Sequence, residues 1–280
     1  MLNTRCKRAG HSFLGVSFVL PILLVVILGC SGVTDLFEAP NSDSDQNQAD
    51  ANPSPEMNSG NGIATVSKSS PCFHKYYPID TKTVRKYGIF NEQQVRDKEF
   101  DDPSSTYEFS QEYDGGETFA DLSKFSTGLT LTVSWECTAD GLNNNQFVGD
   151  IQQQENSLDF KPLKSEGVFF PTEEWTVGKE WKYELTALMV EKGTPDSEGT
   201  ETNVVSTVKV LAIDEEIEVP GGTFYAAKLE IDTKFKLALP NGQTTNADLR
   251  STAWYSPEVG LVMIAQEGFA KQTSVYLGNQ

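Results

Sequence analysis

Apolar and polar residues alternate with a period of two along much of the chain that follows Ser70. The clearest alternating runs are residues 130–136, 180–186, 204–211 and 228–237. Successive side chains of an extended strand point to opposite faces, so this alternation is typical of strands that are buried on one face. The sequence therefore predicts an all-β, antiparallel domain, built either as a strongly curved sheet of the half-barrel kind or as a sandwich.

The segments between these runs contain turn residues, and helical patterns are scarce. Gly, Pro, Asn and Asp cluster at 114–116, 140–145, 193–196, 220–222 and 240–242. Such residues favour the tight turns that join neighbouring antiparallel strands. Two short, charged stretches, residues 91–100 and 118–125, are the candidates for helices.

The first thirty residues have the organisation of an export signal. Three basic residues precede an apolar run at 13–28, and the chain becomes polar directly after Gly29 and Cys30. This organisation resembles a bacterial lipoprotein signal peptide, and the resemblance implies cleavage before Cys30 and attachment of fatty acyl chains such as palmitate to that residue. An uncleaved transmembrane anchor is the alternative, but the run is interrupted by Pro21 and is shorter than the roughly twenty residues that span a bilayer. Both interpretations place the rest of the chain outside the cytoplasm.

The leader divides the chain into three predicted parts. Residues 1–29 are the signal peptide, residues 30–70 a lipidated, disordered acidic tether, and residues 71–280 the β-rich domain. The tether is rich in Ser, Asn, Asp, Gln and Pro, so it cannot bury enough apolar surface to offset the entropy lost on ordering. Since two or more acyl chains hold a protein stably in a bilayer, we expect the domain to be anchored on the extracytoplasmic side of the cell envelope. In a Gram-negative host, resemblance to the lipoprotein sorting rule implies the outer membrane, because Ser31 follows the acylated residue.

The chain is strongly acidic. It contains 40 Asp and Glu residues against 22 Lys and Arg, which gives a formal net charge of -18 at pH 7. Nucleic-acid binding needs a basic face that neutralises phosphates, and the same negative charge opposes docking onto anionic lipid. We therefore expect no nucleic-acid partner, and contact with the membrane only through the N-terminal lipid anchor.

The four cysteines have different predicted roles. Cys6 lies in the leader and Cys30 is the predicted lipidation site, which leaves Cys72 and Cys137 in the exported domain. In an oxidising compartment this pair is predicted to form a disulfide, with two free thiols as the alternative. Cys72 could instead act as a nucleophile with His74, the one histidine after the leader, but no oxyanion site or orienting acid is recognisable.

Motifs of the common enzyme classes are missing from the sequence. There is no Gly-x-Ser-x-Gly sequence, phosphate-binding loop, histidine-rich metal site or dinucleotide fingerprint. The acidic pairs 173–174 and 215–216 could supply a glycosidase, but adjacent strand residues point to opposite faces. We therefore expect a protein that is not an enzyme, with no catalytic, cofactor or metal site.

Motifs in the C-terminal half resemble a known family. Phe170-Pro171 is followed by Val-Gly-Lys-Glu-Trp at 177–181, then by Val-Pro-Gly-Gly-Thr-Phe at 219–224 and Trp-Tyr-Ser-Pro at 254–257. This order of motifs is similar to that of uncharacterised exported bacterial proteins of the DUF3108 and TapB-like type. The resemblance covers residues 168–265 and implies a β-rich, envelope-associated domain without established catalytic residues.

A weak internal echo suggests that the domain has two similar halves. Residues 73–78 and 168–171 both contain two aromatic residues followed by proline, and an amphipathic run follows each. The halves would be residues 72–165 and 166–280.

Trp254 and Tyr255 are the candidates for ligand contact, because their rings combine apolar area with a polar group. The alternative is that both belong to the core, as aromatic residues in strands usually do. We expect a lipid-anchored, noncatalytic cell-envelope protein whose β domain binds an unknown envelope protein or a small apolar or glycan ligand. A purely structural surface lipoprotein without a ligand and an envelope hydrolase are the alternatives.

Overall fold

The computed structural model describes residues 66–145, 150–153, 156–191, 195–196, 199–238, 244–267 and 271–280. These residues form fourteen strands and one short helix, which are β1 (Arg85–Asn91), α1 (Glu92–Asp97), β2 (Ser105–Tyr113), β3 (Thr118–Phe125), β4 (Leu129–Thr138), β5 (Gly141–Asn144), β6 (Asp150–Gln153), β7 (Asn156–Gly167), β8 (Phe170–Pro171), β9 (Glu180–Glu191), β10 (Thr200–Val219), β11 (Gly222–Ala238), β12 (Thr244–Ser256), β13 (Gly260–Glu267) and β14 (Gln272–Asn279). The predicted signal peptide, the acylated Cys30 and all but the last residues of the predicted tether lie outside the described residues. No helix in the described part of the chain has the length and hydropathy that crossing a bilayer requires.

The alternating runs form strands, as the sequence predicts. The four runs lie within β4, β9, β10 and β11. In β10, every second residue from Thr202 to Val210 is buried, while the residues between them are exposed or half-buried. The period of two therefore corresponds to one buried and one more exposed face of the strand.

Of the two predicted helices, one forms. Helix α1 begins after Asn91, whose side chain accepts from the Gln94 backbone N–H while the Gln94 side chain accepts from the Asn91 N–H, an arrangement known as a capping box. The helix ends at Lys98, which has a left-handed backbone with φ of 56°. The second prediction was wrong, because residues 118–125 form strand β3. This strand lies between β2 and β4, so pairing on both sides outweighs its weak local preference.

All strands belong to a single antiparallel sheet. Their order is β3-β2-β1-β14-β13-β12-β11-β10-β9-β7-β6-β4-β5-β8. The sheet curves so strongly that β3, the first strand in this order, also pairs with β4, the twelfth. Register shifts in β10 between Val210 and Ala212 and between Ala212 and Glu215 mark β-bulges, which increase local bending. The predicted all-β antiparallel, strongly curved architecture is confirmed.

Two hydrophobic clusters pack against the sheet, and in β11 they use opposite faces. In β11, Ala227 and Leu229 belong to the larger cluster, whereas Phe224 and Ala226 belong to the smaller one. The smaller cluster lies beneath the tip of the β10–β11 hairpin, where the Gly221 N–H donates to the Tyr276 carbonyl at 3.2 Å. The hairpin tip therefore packs against Tyr276 of the smaller cluster.

Residues 66–84, here called the strap, cross the inner side of the sheet before β1 begins. Cys72, Tyr76 and Ile79 of the strap are buried in the larger cluster. Cys72 forms the predicted disulfide with Cys137 of β4, and their Cα atoms are 4.8 Å apart. The strap also includes the last residues of the predicted tether, since the Ser70 hydroxyl is 3.2 Å from that of Tyr113.

The two proposed halves share this single sheet. Their boundary at residues 165 and 166 falls inside strand β7, which pairs with β6 on one side and β9 on the other. The duplication stays a prediction.

Candidate functional site

An open cavity of about 460 Å³ lies where the strap meets the sheet, and it is here called the strap pocket. Four parts of the chain form its walls: the strap, the turn between β4 and β5, residues 172–175 before β9, and the bulge of β10. Its charged lining residues are Lys68, Lys75, Glu173, Glu174 and Asp214. The pocket therefore offers both hydrogen-bond donors and acceptors around one opening.

Aromatic rings form the buried base of the strap pocket. Trp175 stacks on Tyr76 with ring centroids 4.8 Å apart and an angle of 20° between the planes. Trp175 also contacts His74 and Trp181, at centroid distances of 5.2 Å and 5.3 Å. The Trp175 indole N–H donates to the Pro171 carbonyl at 3.1 Å. This packing fixes the base of the pocket, since each ring is held from several sides.

His74 is fully engaged by the backbone. Its Nε2 lies 3.1 Å from the Pro171 carbonyl oxygen, and the Tyr76 backbone N–H donates to its Nδ1 at 3.3 Å. Together these contacts define a neutral ring protonated at Nε2. Burial lowers the pKa of His74 to about 4, although the bond to Pro171 opposes that change. His74 thus has no free nitrogen with which to accept a proton from a ligand in the pocket.

Cys72, considered above as a possible nucleophile, is part of the disulfide. The Cys72 sulfur is bonded to Cys137, so the structure does not support the alternative in which Cys72 and His74 act together. The predicted pair is instead a cross-link that holds the strap against β4.

Trp254 and Tyr255 do not form a shared platform. Consecutive residues of β12, they point to opposite faces, and Trp254 belongs to the smaller cluster while Tyr255 belongs to the larger. They are only 9% and 7% exposed. The Trp254 indole N–H donates to Glu215 Oε1 at 2.9 Å, and Lys228 lies over its ring. The structure therefore favours the core interpretation of both residues, and the ligand-stacking alternative loses its geometric basis.

Of the two acidic pairs, residues 173–174 lie in the lining of the strap pocket, whereas the carboxylates of residues 215–216 lie on opposite faces of β10. Glu173 forms an ion pair with Lys179 at 2.8 Å, and this contact lowers the pKa of Glu173. Glu215 accepts from Trp254, whereas Glu216, on the other face, accepts from Tyr225 at 3.3 Å. Within the described ranges, no group of three or more His, Cys, Asp or Glu residues could hold a metal ion.

A buried polar cluster around Asp121 was not predicted. The Asp121 carboxylate accepts from the Tyr77 hydroxyl, from Gln111 Nε2 at 3.0 Å and from Trp135 Nε1 at 2.6 Å. Burial raises the pKa of Asp121 to about 6, opposed by these hydrogen bonds and by the charge of Arg85. The available signal was a break in the alternation, because Asp121 occupies the inward face of β3 two residues after the buried Phe119.

Comparison with known proteins adds little to this geometry. The sequence matches no protein-family model and no curated protein. The resemblance to DUF3108 and TapB-like proteins therefore has no support from a family match. A crystal structure of a predicted lipoprotein from Parabacteroides distasonis is similar over 75% of this chain and 99% of that chain, with 12% sequence identity and a TM-score of 0.44. At this identity and score, the similarity carries no inference about this chain.

Proposed function

We propose that this chain is a lipid-anchored, noncatalytic cell-envelope protein that binds a small glycan-like ligand in the strap pocket. The observation that carries the proposal is the pocket itself. Its volume of about 460 Å³ lies within the roughly 300–1,000 Å³ common for small-molecule sites. It is lined by groups from four separate segments, so the fold assembles it.

The lining favours a hydroxyl-rich ligand over an apolar one. Lys68 and Lys75 can donate hydrogen bonds, while Glu174 and Asp214 can accept them from sugar hydroxyls. Phe73, which is half-buried, adds an aromatic surface to the wall. A fully apolar ligand would leave these charged groups without partners, which is costly once water is displaced.

The noncatalytic part of the proposal is supported by the state of the candidate catalytic groups. His74 is engaged at both nitrogens, Cys72 is bonded to Cys137, and Glu173 is paired with Lys179. The hydrolase alternative would have to use the remaining carboxylates of the pocket, those of Glu174 and Asp214, as its acid and base.

Export and anchoring rest on the leader and on the cysteines. The apolar run that ends at Gly29 and Cys30 supports acylation, and the disulfide between Cys72 and Cys137 fits an oxidising compartment. Mass analysis of the mature N-terminus is expected to show an acylated Cys30. Replacement by Cys30→Ser should move the protein from the detergent phase to the aqueous phase. An uncleaved or unmodified Cys30 would contradict this part of the proposal.

Ligand binding is tested with the full chain purified in detergent from its own host. Native mass spectrometry is expected to detect a retained polar ligand, and Ala139→Trp, at an exposed wall position, should abolish its retention. Thr118→Trp, at an exposed position outside the pocket, is the control and should retain it. A ligand that both variants retain would show that it does not bind in the strap pocket, and the absence of a ligand from every preparation would favour the purely structural alternative.

A further inference from the structure

A second cavity, separate from the strap pocket, lies between the strap and strands β1, β2, β12 and β13. Its volume is about 70 Å³. The side chains that matter for its chemistry are those of Arg85, Gln111, Tyr77, Tyr87, Tyr107 and Tyr255, all of which line it. A space of this size admits a few water-sized particles and excludes a larger ligand.

Arg85 is a buried cation without an ion pair. Only 4% of its surface is exposed. Its one hydrogen bond to the described residues runs from Nη1 to Gln111 Oε1 at 3.4 Å, and its guanidinium carbon lies 5.5 Å from the centre of the Phe109 ring. A guanidinium has five N–H donors, so most of them have no acceptor among the described residues.

Two acidic groups, Asp121 and Asp80, interact with the charge of Arg85, but neither forms an ion pair with the guanidinium. Gln111 lies between Arg85 and Asp121, because its Oε1 accepts from Arg85 while its Nε2 donates to Asp121 at 3.0 Å. The Gln111 oxygen also accepts from the Asp80 backbone N–H at 3.1 Å. Asp121 thus compensates the charge of Arg85 from a distance, but it supplies no direct acceptor.

Of the four tyrosine hydroxyls around the cavity, three form hydrogen bonds to described residues and one does not. The Tyr77 hydroxyl donates to Asp121, that of Tyr87 donates to the Leu261 carbonyl at 2.8 Å, and that of Tyr107 lies 2.8 Å from the Ser274 hydroxyl. The Tyr255 hydroxyl has no hydrogen bond to any described residue, although the residue is only 7% exposed. The cavity is therefore lined by two under-used donors, Arg85 and Tyr255, and by no free acceptor of comparable strength.

We propose that this cavity is a binding site for a small monovalent anion, of chloride or formate size, held by the Arg85 guanidinium and the Tyr255 hydroxyl. An anion supplies a charged acceptor in direct contact with the guanidinium, whereas a water molecule supplies only a neutral one. Charge-assisted hydrogen bonds of this kind are about twice as strong as neutral ones. The single positive charge and the small volume favour a monovalent anion over sulfate or a larger carboxylate.

The site is tested by thermal unfolding of the full chain in detergent, with chloride or formate titrated against gluconate at constant pH and ionic strength. Binding to the folded state alone gives a saturable rise in Tm, of about 5 °C at a hundredfold excess over Kd for a domain of this size. Gluconate is too large for the cavity and should give no such rise. Equal curves in chloride, formate and gluconate would overturn the proposal.

Three variants separate this site from anions bound at the surface. Arg85→Met keeps a long apolar side chain and should abolish the anion-dependent rise in Tm. Tyr255→Phe removes the unused hydroxyl and should weaken binding about tenfold. Tyr107→Phe is the matched control, because that hydroxyl is already bonded to Ser274, and it should leave the affinity unchanged. A rise that persists in Arg85→Met, or equal weakening in both tyrosine variants, would refute the assignment.

Anomalous diffraction from crystals grown in bromide locates the ion directly. The expected result is a peak inside the cavity, next to Arg85. Saturable stabilisation with bromide only at the surface would also overturn the proposal.

Discussion

His74 and Asp121 are buried titratable groups whose pKa values are shifted in opposite directions. Burial lowers the pKa of His74 from 6.5 to about 4 and raises that of Asp121 from 3.8 to about 6. Folded His74 binds a proton less readily than unfolded His74, so its contribution to stability is present above pH 6.5 and is lost as the pH falls toward 4. For Asp121 the relation is reversed: its contribution is present below pH 3.8 and is lost as the pH rises through 6.

The two contributions are similar in size and nearly cancel in the wild-type chain. One unit of pKa difference between the folded and unfolded states corresponds to about 1.4 kcal/mol. Acidification from pH 7 to pH 4 should therefore lower the free energy of unfolding by about 3 kcal/mol through His74 and raise it by about 2.5 kcal/mol through Asp121. Replacing either residue removes one side of this balance.

The free energy of unfolding in urea at several pH values between 7 and 4 measures this balance. As the pH falls from 7 to 4, the free energy of unfolding of His74→Gln should rise by about 3 kcal/mol relative to that of the wild type. That of Asp121→Asn should fall by about 2.5 kcal/mol relative to the wild type. The surface carboxylates are common to all three proteins, so their titration cancels in these differences. Differences that stay constant with pH would refute the reasoning, whatever the absolute stabilities. NMR titration of both side chains in the wild-type protein provides an independent measurement.

Two further predictions concern the covalent and backbone constraints of the fold. Replacing Cys72 and Cys137 by serine should lower the free energy of unfolding by about 4 kcal/mol, because their sequence separation of 65 residues sets the entropy of the closed loop; a loss below about 1 kcal/mol in urea would contradict this. Gly141→Ala should destabilise the protein by at least about 2 kcal/mol more than Gly178→Ala, as thermal unfolding can show. Both glycines have positive φ, but a Cβ at Gly141 would lie 2.1 Å from the Phe170 carbonyl oxygen, whereas nothing lies within 4 Å of one at Gly178. Equal losses would show that the backbone of β8 moves freely.

The strands could be predicted because alternation reports burial directly. Residues 204–211 illustrate this, since Val204, Val208 and Val210 are buried where the pattern requires it. The pattern failed at 118–125, where inward Asp121 follows inward Phe119 and breaks the apolar face. A buried carboxylate in a strand looks like an exposed residue until its hydrogen-bond donors are known, and those donors come from three other segments.

The candidate sites could not be predicted, because they are assembled from residues far apart in the sequence. Lys75 and Asp214 line the same pocket, and Arg85 and Tyr255 line the same small cavity. No local pattern encodes such distances, since they depend on how far the sheet curves and where β10 bulges. Tyr77 and Phe170, which precede proline in the two similar motifs, pack with ring centroids 5.0 Å apart, and the duplication itself stays a prediction.

The strap couples the pocket to the core. It supplies the pocket wall from Lys68 to Tyr76, and in the next residue it supplies Tyr77, whose ring packs in the larger cluster and whose hydroxyl donates to Asp121. The disulfide at Cys72 fixes the same segment to β4. Widening the pocket would therefore require moving a segment that is held both by a covalent bond and by a buried hydrogen bond. We conclude that the pocket is largely preformed, so a ligand that fits it does not pay for ordering the strap.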